Sequence, residues 1–337
     1  MSSWYNNRET QSDVVLSTRV RLARNLEGIP FPSRMTDTQK QELKEKVKQA
    51  IADSNTPFSK TLKYIDMQTI PQNEINAMVE RHVISPEFAK NTDGRAIILS
   101  GDESISIMIG EEDHIRIQVI LGGFQLEEAY DIAERIDTLL YSKLHFAFDS
   151  ELGFLTECPT NLGTGLRASL MLHLPVIESR GEIAALGDTV SKIGFTVRGM
   201  YGEGSKAVAS IYQVSNQITL GISEKNAIDN LKIIATQLIE KERSAAKELD
   251  SLKLEDMTYR ALGTLKYSRI ITSEEAMKLL SRIKLGQSVG ILKENINPVE
   301  LLINCQPYML MRKYGEMEPY ERDISRAEYL REALKDY

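Results

Sequence analysis

Between residues 36 and 52 apolar side chains recur at helical spacing, placing Leu43, Val47, Ala50 and Ile51 on one face. Two extended runs follow, Ala96–Leu99 and Ser104–Ile109. Next, Ile115, Ile117, Val119 and Leu121 alternate with Arg116, Gln118 and Ile120, as in a strand with one more apolar face. Glu127–Leu144 returns to a helical period, Ile193–Arg198 predicts a further strand, and Ala207–Ile222 predicts a hairpin turning near Ser215-Asn216-Gln217. After Ser223 the period is helical: Ile228, Leu231, Ala235, Leu238 and Ile239 form one stripe, and Thr272 with Glu275 has capping-box spacing. The pattern predicts an α+β protein. Residues 14–245 form a largely antiparallel sheet flanked by helices, and residues 246–337 an all-helical carboxy-terminal domain.

A length of 337 residues agrees with two domains, and 42% hydrophobic with 26% charged residues is ordinary for a soluble globular chain. The formal net charge of -7 argues against broad electrostatic binding to nucleic acid or acidic membranes. No apolar run has the length of a membrane span and Met1–Glu9 is polar, so a cytoplasmic protein is expected. Cys158 and Cys305 are too few for a disulfide framework. Cys305 lies in an apolar run and reads as a buried thiol; Cys158 is the one to suspect of chemistry. His114, His145 and His173 lack metal-ligand spacing, so no protein-built metal site is expected.

Cys158 opens the run Cys158-Pro159-Thr160-Asn161-Leu162-Gly163-Thr164-Gly165-Leu166-Arg167-Ala168-Ser169. Its glycine-rich turn can present N–H groups to an anion, and Arg167 can grip a phosphate with two donors. In Ser17-Thr18-Arg19-Val20-Arg21, the two arginines share one face of an extended strand. Gly110-Glu111-Glu112-Asp113-His114-Ile115-Arg116 sets three acids at a hairpin turn. The loop Arg198-Gly199-Met200-Tyr201-Gly202-Glu203-Gly204-Ser205-Lys206 is not a Walker loop, because Ser205 precedes Lys206.

Together these four motifs, in the order they follow along the chain, resemble the phosphagen kinases, the ATP:guanidino phosphotransferases. The resemblance covers residues 14–245 and implies that family's catalytic fold. It assigns catalytic roles to Glu112, Glu203, Cys158 and Arg116. ATP contacts are implied for Ser17, Thr18, Arg19, Val20, Arg21, His82 and Arg116, for Arg167, Ala168, Ser169, Leu170 and Met171, and for Arg198, Gly199, Met200, Tyr201, Gly202 and Glu203. Two carboxylates could clamp a guanidinium and accept its proton, while arginines gather the triphosphate and Mg2+ arrives on the ATP oxygens. Arginines and a helix start would hold Cys158 deprotonated. Gly110 stands where the family motif has Asn, and the match at His82 is weak.

Three departures point to one branch. Only 16 residues precede Ser17, so the small-substrate enzymes' helical amino-terminal lid domain is not expected; Glu157 precedes Cys158; and a helical domain follows. The chain therefore resembles the bacterial protein-arginine kinases. Glu321-Arg322-Asp323-Ile324-Ser325-Arg326-Ala327-Glu328 resembles their phosphoarginine-binding motif, implying an allosteric site at Arg322, Asp323, Arg326 and Ala327, with free N–H groups if a helix begins at Asp323 or Ser325. The resemblance further implies arginine-bearing protein substrates, marking for the ClpC protease in a stress response, and the partners McsA and CtsR; apolar helix faces leave room for a homodimer. Two other readings stay open: a small-molecule guanidino kinase, and a non-catalytic phosphoarginine-binding adaptor.

Overall fold

The alternation along the sequence becomes a sheet in the computed structural model, which describes residues 3–7, 12–54, 56–199 and 208–337. Strand β1 is Val15–Arg24; helices α1 (Asp37–Ala52) and α2 (Pro57–Thr61) lead to β2 (Leu62–Asp66). Helices α3 (Gln72–Glu80) and α4 (Pro86–Lys90) precede β3 (Ala96–Ser100), β4 (Ile105–Ile109), β5 (Ile115–Gly122) and helix α5 (Leu126–Tyr141). A small pair, β6 (Phe148–Asp149) and β7 (Gly153–Phe154), is followed by β8 (Leu166–His173), helices α6 (Pro175–Ser179) and α7 (Ile183–Ser191), then β9 (Phe195–Gly199) and β10 (Ile211–Asn216). Helix α8 (Glu224–Ala246) begins a helical run: α9 (Ser251–Tyr267), α10 (Ser273–Ser288), α11 (Pro298–Asn304), α12 (Pro307–Tyr314) and α13 (Pro319–Ala333).

The strand order is β2-β3-β4-β5-β1-β8-β10-β9, and the β2–β3, β3–β4, β4–β5 and β5–β1 pairs are antiparallel. Helix α1 starts where Thr36 and Gln39 form a reciprocal capping box. Thr272 caps α10 by accepting the Glu275 N–H, as the spacing predicts.

The Ala207–Ile222 hairpin is not formed. A single strand, β10, ends at Asn216, and no strand occurs in residues 217–222. The Asn216 side chain is the reason: its amide donates to the Leu166 and Ile218 carbonyls and its oxygen accepts the Ala168 N–H, stopping the chain beside β8. The next residues then lie against the signature turn, where the Thr219 carbonyl accepts the Thr164 N–H (3.0 Å). Gly163 sits there at φ +107°, and a Cβ would fall 2.3 Å from the Thr219 oxygen, so only glycine fits.

The chain divides into two compact units, one of Met1–Trp4, Ser17–Ser169 and Ser215–Lys232, the other of Tyr5–Leu16, Leu170–Val214 and Ile233–Tyr337. In the first, Met67, Ile75, Met78, Phe88, Ile97 and Met108 form a buried cluster under α3 and α4. In the second, the helical faces of α9, α10, α11 and α13 meet through Ala261, Leu265, Leu280, Ile283, Leu302, Ala327 and Leu330. Cys305 lies in that core, fully buried.

Candidate active site

Strand β1 separates three arginines by parity. Val20 and Leu22 are fully buried, while Arg19 and Arg21 are half-buried on the opposite face. Residues directly opposite in an antiparallel pair project to the same side. Ala23 lies opposite Arg116 and Arg21 opposite Gln118, so Arg116 joins Arg19 and Arg21. Arg167, half-buried on β8, completes the group: burial first, then Arg19, Arg116 and Arg167, hold the Arg21 guanidinium well below its usual range. Burial, then Arg116, lowers Arg19 to about 10. The buried Arg21 Nε has no hydrogen-bond partner among the described residues. Such a concentration of positive charge is stabilised by an anion, and a polyphosphate supplies several charges at once. Arg24, of the other parity, is spent internally. It pairs with Asp137 and Glu224 and lies over the Phe154 ring.

Arg167 is oriented by Asn161 (Nε to Oδ1, 3.3 Å) and reaches the Asn216 carbonyl (3.4 Å). Thr18 is buried, donating to the Gly123 carbonyl and accepting from Gln125, so it braces the strand. Ser17, Val20, Ala168, Ser169 and Leu170 are also buried, and Met171 packs against the second unit's core. These side chains shape the backbone around the arginine face.

His82 has φ +60°, and its carbonyl accepts from Gln118, which sits on the arginine face. Burial, then Arg19, lowers His82 to about 4, so it is neutral near pH 7. Burial likewise lowers His114 and, more strongly, His173. A folded state whose histidines resist protonation keeps its stability above pH 6.5 and loses it as pH falls from 6.5 towards 4. Glu242, raised by burial, offsets part of this at the acidic end. For His82 alone the expected loss by pH 5 is about 2 kcal/mol. Urea unfolding at pH 7.5 and 5.0 should reveal it, and His82→Asn, a residue that tolerates positive φ, should flatten the slope. An unchanged slope would refute the assignment.

The acidic hairpin between β4 and β5 sorts its three acids. Gly110 turns the chain at φ +80°. Glu111 folds inward, 2.6 Å from Arg116 and accepting from Ser85 (2.5 Å). Asp113 is fully buried, receiving the Asn25 amide and the Glu157 N–H. His114 accepts the Leu26 N–H on Nδ1, so its Nε2 donates to the Pro30 carbonyl. Only Glu112 projects outward, 41% exposed, with Arg116 donating to it at 3.1 Å. Arg116 thus joins the arginine face to the hairpin carboxylates.

Glu112 lines a cleft of about 450 Å³ together with Cys158, Glu157, Ser33, Asp93 and Arg95. The Cys158 thiol lies 3.1 Å from the Thr160 hydroxyl at the start of a three-residue 3-10 turn, Pro159–Asn161. The cleft is therefore acidic and thiol-lined, beside a cationic face. Arg198 and Gly199 end β9 in the second unit, and the Arg198 Nε donates to Thr196. Met200, Tyr201, Gly202 and Glu203 lie outside the described residues. Glu111, Asn161 and Asn216 escaped the sequence reading as supports; each acts through a tertiary partner that spacing does not reveal.

Residues 42–245 match the family model for the ATP:guanido phosphotransferase carboxy-terminal catalytic domain, and residues 251–337 that for the protein-arginine kinase McsB carboxy-terminal domain. A protein-arginine kinase of Caldanaerobacter subterraneus subsp. tengcongensis is 44% identical over 94% of this chain and 96% of its own. Another, of Clostridium acetobutylicum, is 41% identical over 99% of this chain and all of its own. The chain belongs to the protein-arginine kinase family. Solved structures share the fold: a lombricine kinase matches at TM-score 0.60 and 22% identity, over 72% of this chain and 71% of its own. A duplicated taurocyamine kinase of Schistosoma mansoni matches at TM-score 0.61 and 23% identity, over 95% of this chain and 44% of its own. As a family member the chain is a kinase with the expected α+β phosphagen-kinase fold.

The family's carboxy-terminal motif is placed differently from expectation. Helix α13 begins at Pro319, capped by Glu318 and Glu321, so residues 323 and 325 lie inside the helix and offer no free amino-terminal N–H groups. Arg326, only 2% exposed, donates to the Cys305 and Ile271 carbonyls and to Asp323 (2.5 Å). Ala327 is fully buried and Arg322 half-buried. Among the described residues no helix is long and apolar enough to cross a membrane.

Proposed function

We propose that this kinase transfers the γ-phosphate of ATP to arginine side chains of proteins. The observation that carries the reading is the Glu112–Arg116 pair, which couples an arginine face suited to a triphosphate with an acidic cleft suited to a guanidinium. A guanidinium is a poor nucleophile because its charge is delocalised. Glu112 orients it and takes a proton as a nitrogen attacks the γ-phosphorus; a P–N bond forms, the P–O bond to ADP breaks, and ADP leaves with the electron pair. Arg19, Arg21, Arg116 and Arg167 hold the phosphate oxygens and stabilise the charge that shifts between them. Glu203 would be the second carboxylate and Arg198 a further phosphate ligand.

Mg2+ would be carried by the ATP phosphates, beside the Arg19, Arg21, Arg116 and Arg167 face. When bound, Mg2+ neutralises phosphate charge. Phosphoarginine would then mark proteins for ClpC in a stress response, with McsA and CtsR as partners and a homodimer as the assembly. Arg322 and Asp323, both half-buried, would touch phosphoarginine, while the buried Arg326 braces the helix and holds Asp323.

Labelled Mg-ATP incubated with an unstructured, arginine-bearing protein, beside free arginine, tests the reading. Label should enter the protein, be lost in acid and survive base. Label on free arginine alone would favour a small-molecule kinase.

A further inference from the structure

Nearly every carboxylate in the acidic cleft has a cation beside it. Glu111 and Glu112 share Arg116, and Asp93 lies 3.9 Å from Lys40. Glu157 is the exception. Its carboxylate accepts a hydrogen bond from the Ser33 hydroxyl and meets no cation among the described residues. His114, nearby, is lowered by burial against the opposing pull of the Pro30 carbonyl, and its Nδ1 is taken up by the Leu26 N–H.

Glu157 is also held in place from three directions. Its N–H donates to Asp113, itself fixed by Asn25. Cys158, its neighbour, starts the 3-10 turn, and Ser33 belongs to another short turn, Pro32–Arg34, that forms the facing wall. A half-buried carboxylate with an anchored backbone and one hydroxyl partner costs desolvation without an ion pair to offset it. Such a group is well placed to receive a cation from outside, and a guanidinium can bridge two carboxylates through its fork of donors.

We propose that Glu157 is a specificity-determining residue that binds the guanidinium of the acceptor arginine, opposite Glu112, with Ser33 positioning it. This rests on the protein-arginine reading above. The carboxylate favours the charged acceptor in the ground state as well as during transfer, so its loss appears mainly in KM.

The test is steady-state phosphorylation of two unstructured arginine peptides, one with neutral and one with basic flanking residues, using the full chain. Glu157→Gln should raise acceptor KM roughly tenfold or more on both peptides, with kcat within about threefold and KM for ATP unchanged. Glu157→Asp should recover part of the loss, and Ser33→Ala should shift acceptor KM the same way by about threefold. An unchanged acceptor KM in Glu157→Gln overturns the proposal. So does an effect confined to the basic peptide, which would place Glu157 against a flanking residue, or a fall in kcat with KM intact. Wild-type protein that labels neither peptide overturns the protein-arginine reading itself, and the proposal with it.

Discussion

Glu112→Gln should lower the rate of phosphoryl transfer by on the order of 10²–10⁴-fold, since it removes the one outward hairpin carboxylate that can take the acceptor's proton. The change keeps the side-chain shape and leaves Arg116 paired with Glu111, so the arginine face keeps its geometry. Nucleotide affinity should therefore stay within about threefold. Single-turnover transfer from labelled ATP, run beside nucleotide binding at equilibrium, separates these quantities. A rate within tenfold of wild type would remove Glu112 from the chemistry. Equal loss of rate and ATP affinity would mean that Glu112 acts by positioning Arg116.

The second large effect lies in the carboxy-terminal helices. Arg326→Met should destabilise the protein by about 3–5 kcal/mol, the usual cost of removing one partner from a buried ionic network. Methionine fills similar space but leaves the Cys305 and Ile271 carbonyls and the Asp323 carboxylate without their donor. Arg322→Ala, at a half-buried position four residues earlier, should cost less than about 1 kcal/mol. Urea unfolding of both variants decides the matter. Near-wild-type stability in Arg326→Met would mean that the guanidinium is free for a ligand. Low stability would mean that Arg326 holds the carboxy-terminal motif in shape, so its substitution cannot serve as a clean test of the proposed phosphoarginine binding.

Much of the fold was legible because local periodicity and burial agree. The alternation at residues 115–121 became β5, and the stripe around Leu43 and Val47 became α1 with its Thr36 cap. The hairpin at 207–222 failed because Asn216 bonds across to β8, a contact invisible to any local pattern. Arg322–Ala327 kept its helical character, but the helix started earlier, where Pro319 and the Glu318–Glu321 box fix the first turn.

The candidate site divides along the same line. The sequence by itself determined which chemistry is present: arginines two apart on a strand, acids at a hairpin, and a thiol before a glycine turn, in the order that marks an ATP:guanido phosphotransferase. Parity along β1 also separates Arg19 and Arg21 from Arg24, because side-chain direction in a strand is a local property. Only the tertiary structure decided which of Glu111, Glu112 and Asp113 faces outward, that Arg116 links two halves of the site, and that Glu157 meets no cation among the described residues while Arg326 is buried. Those properties depend on partners distant in sequence, and burial and charge pairing are set by the surroundings that only the folded chain creates.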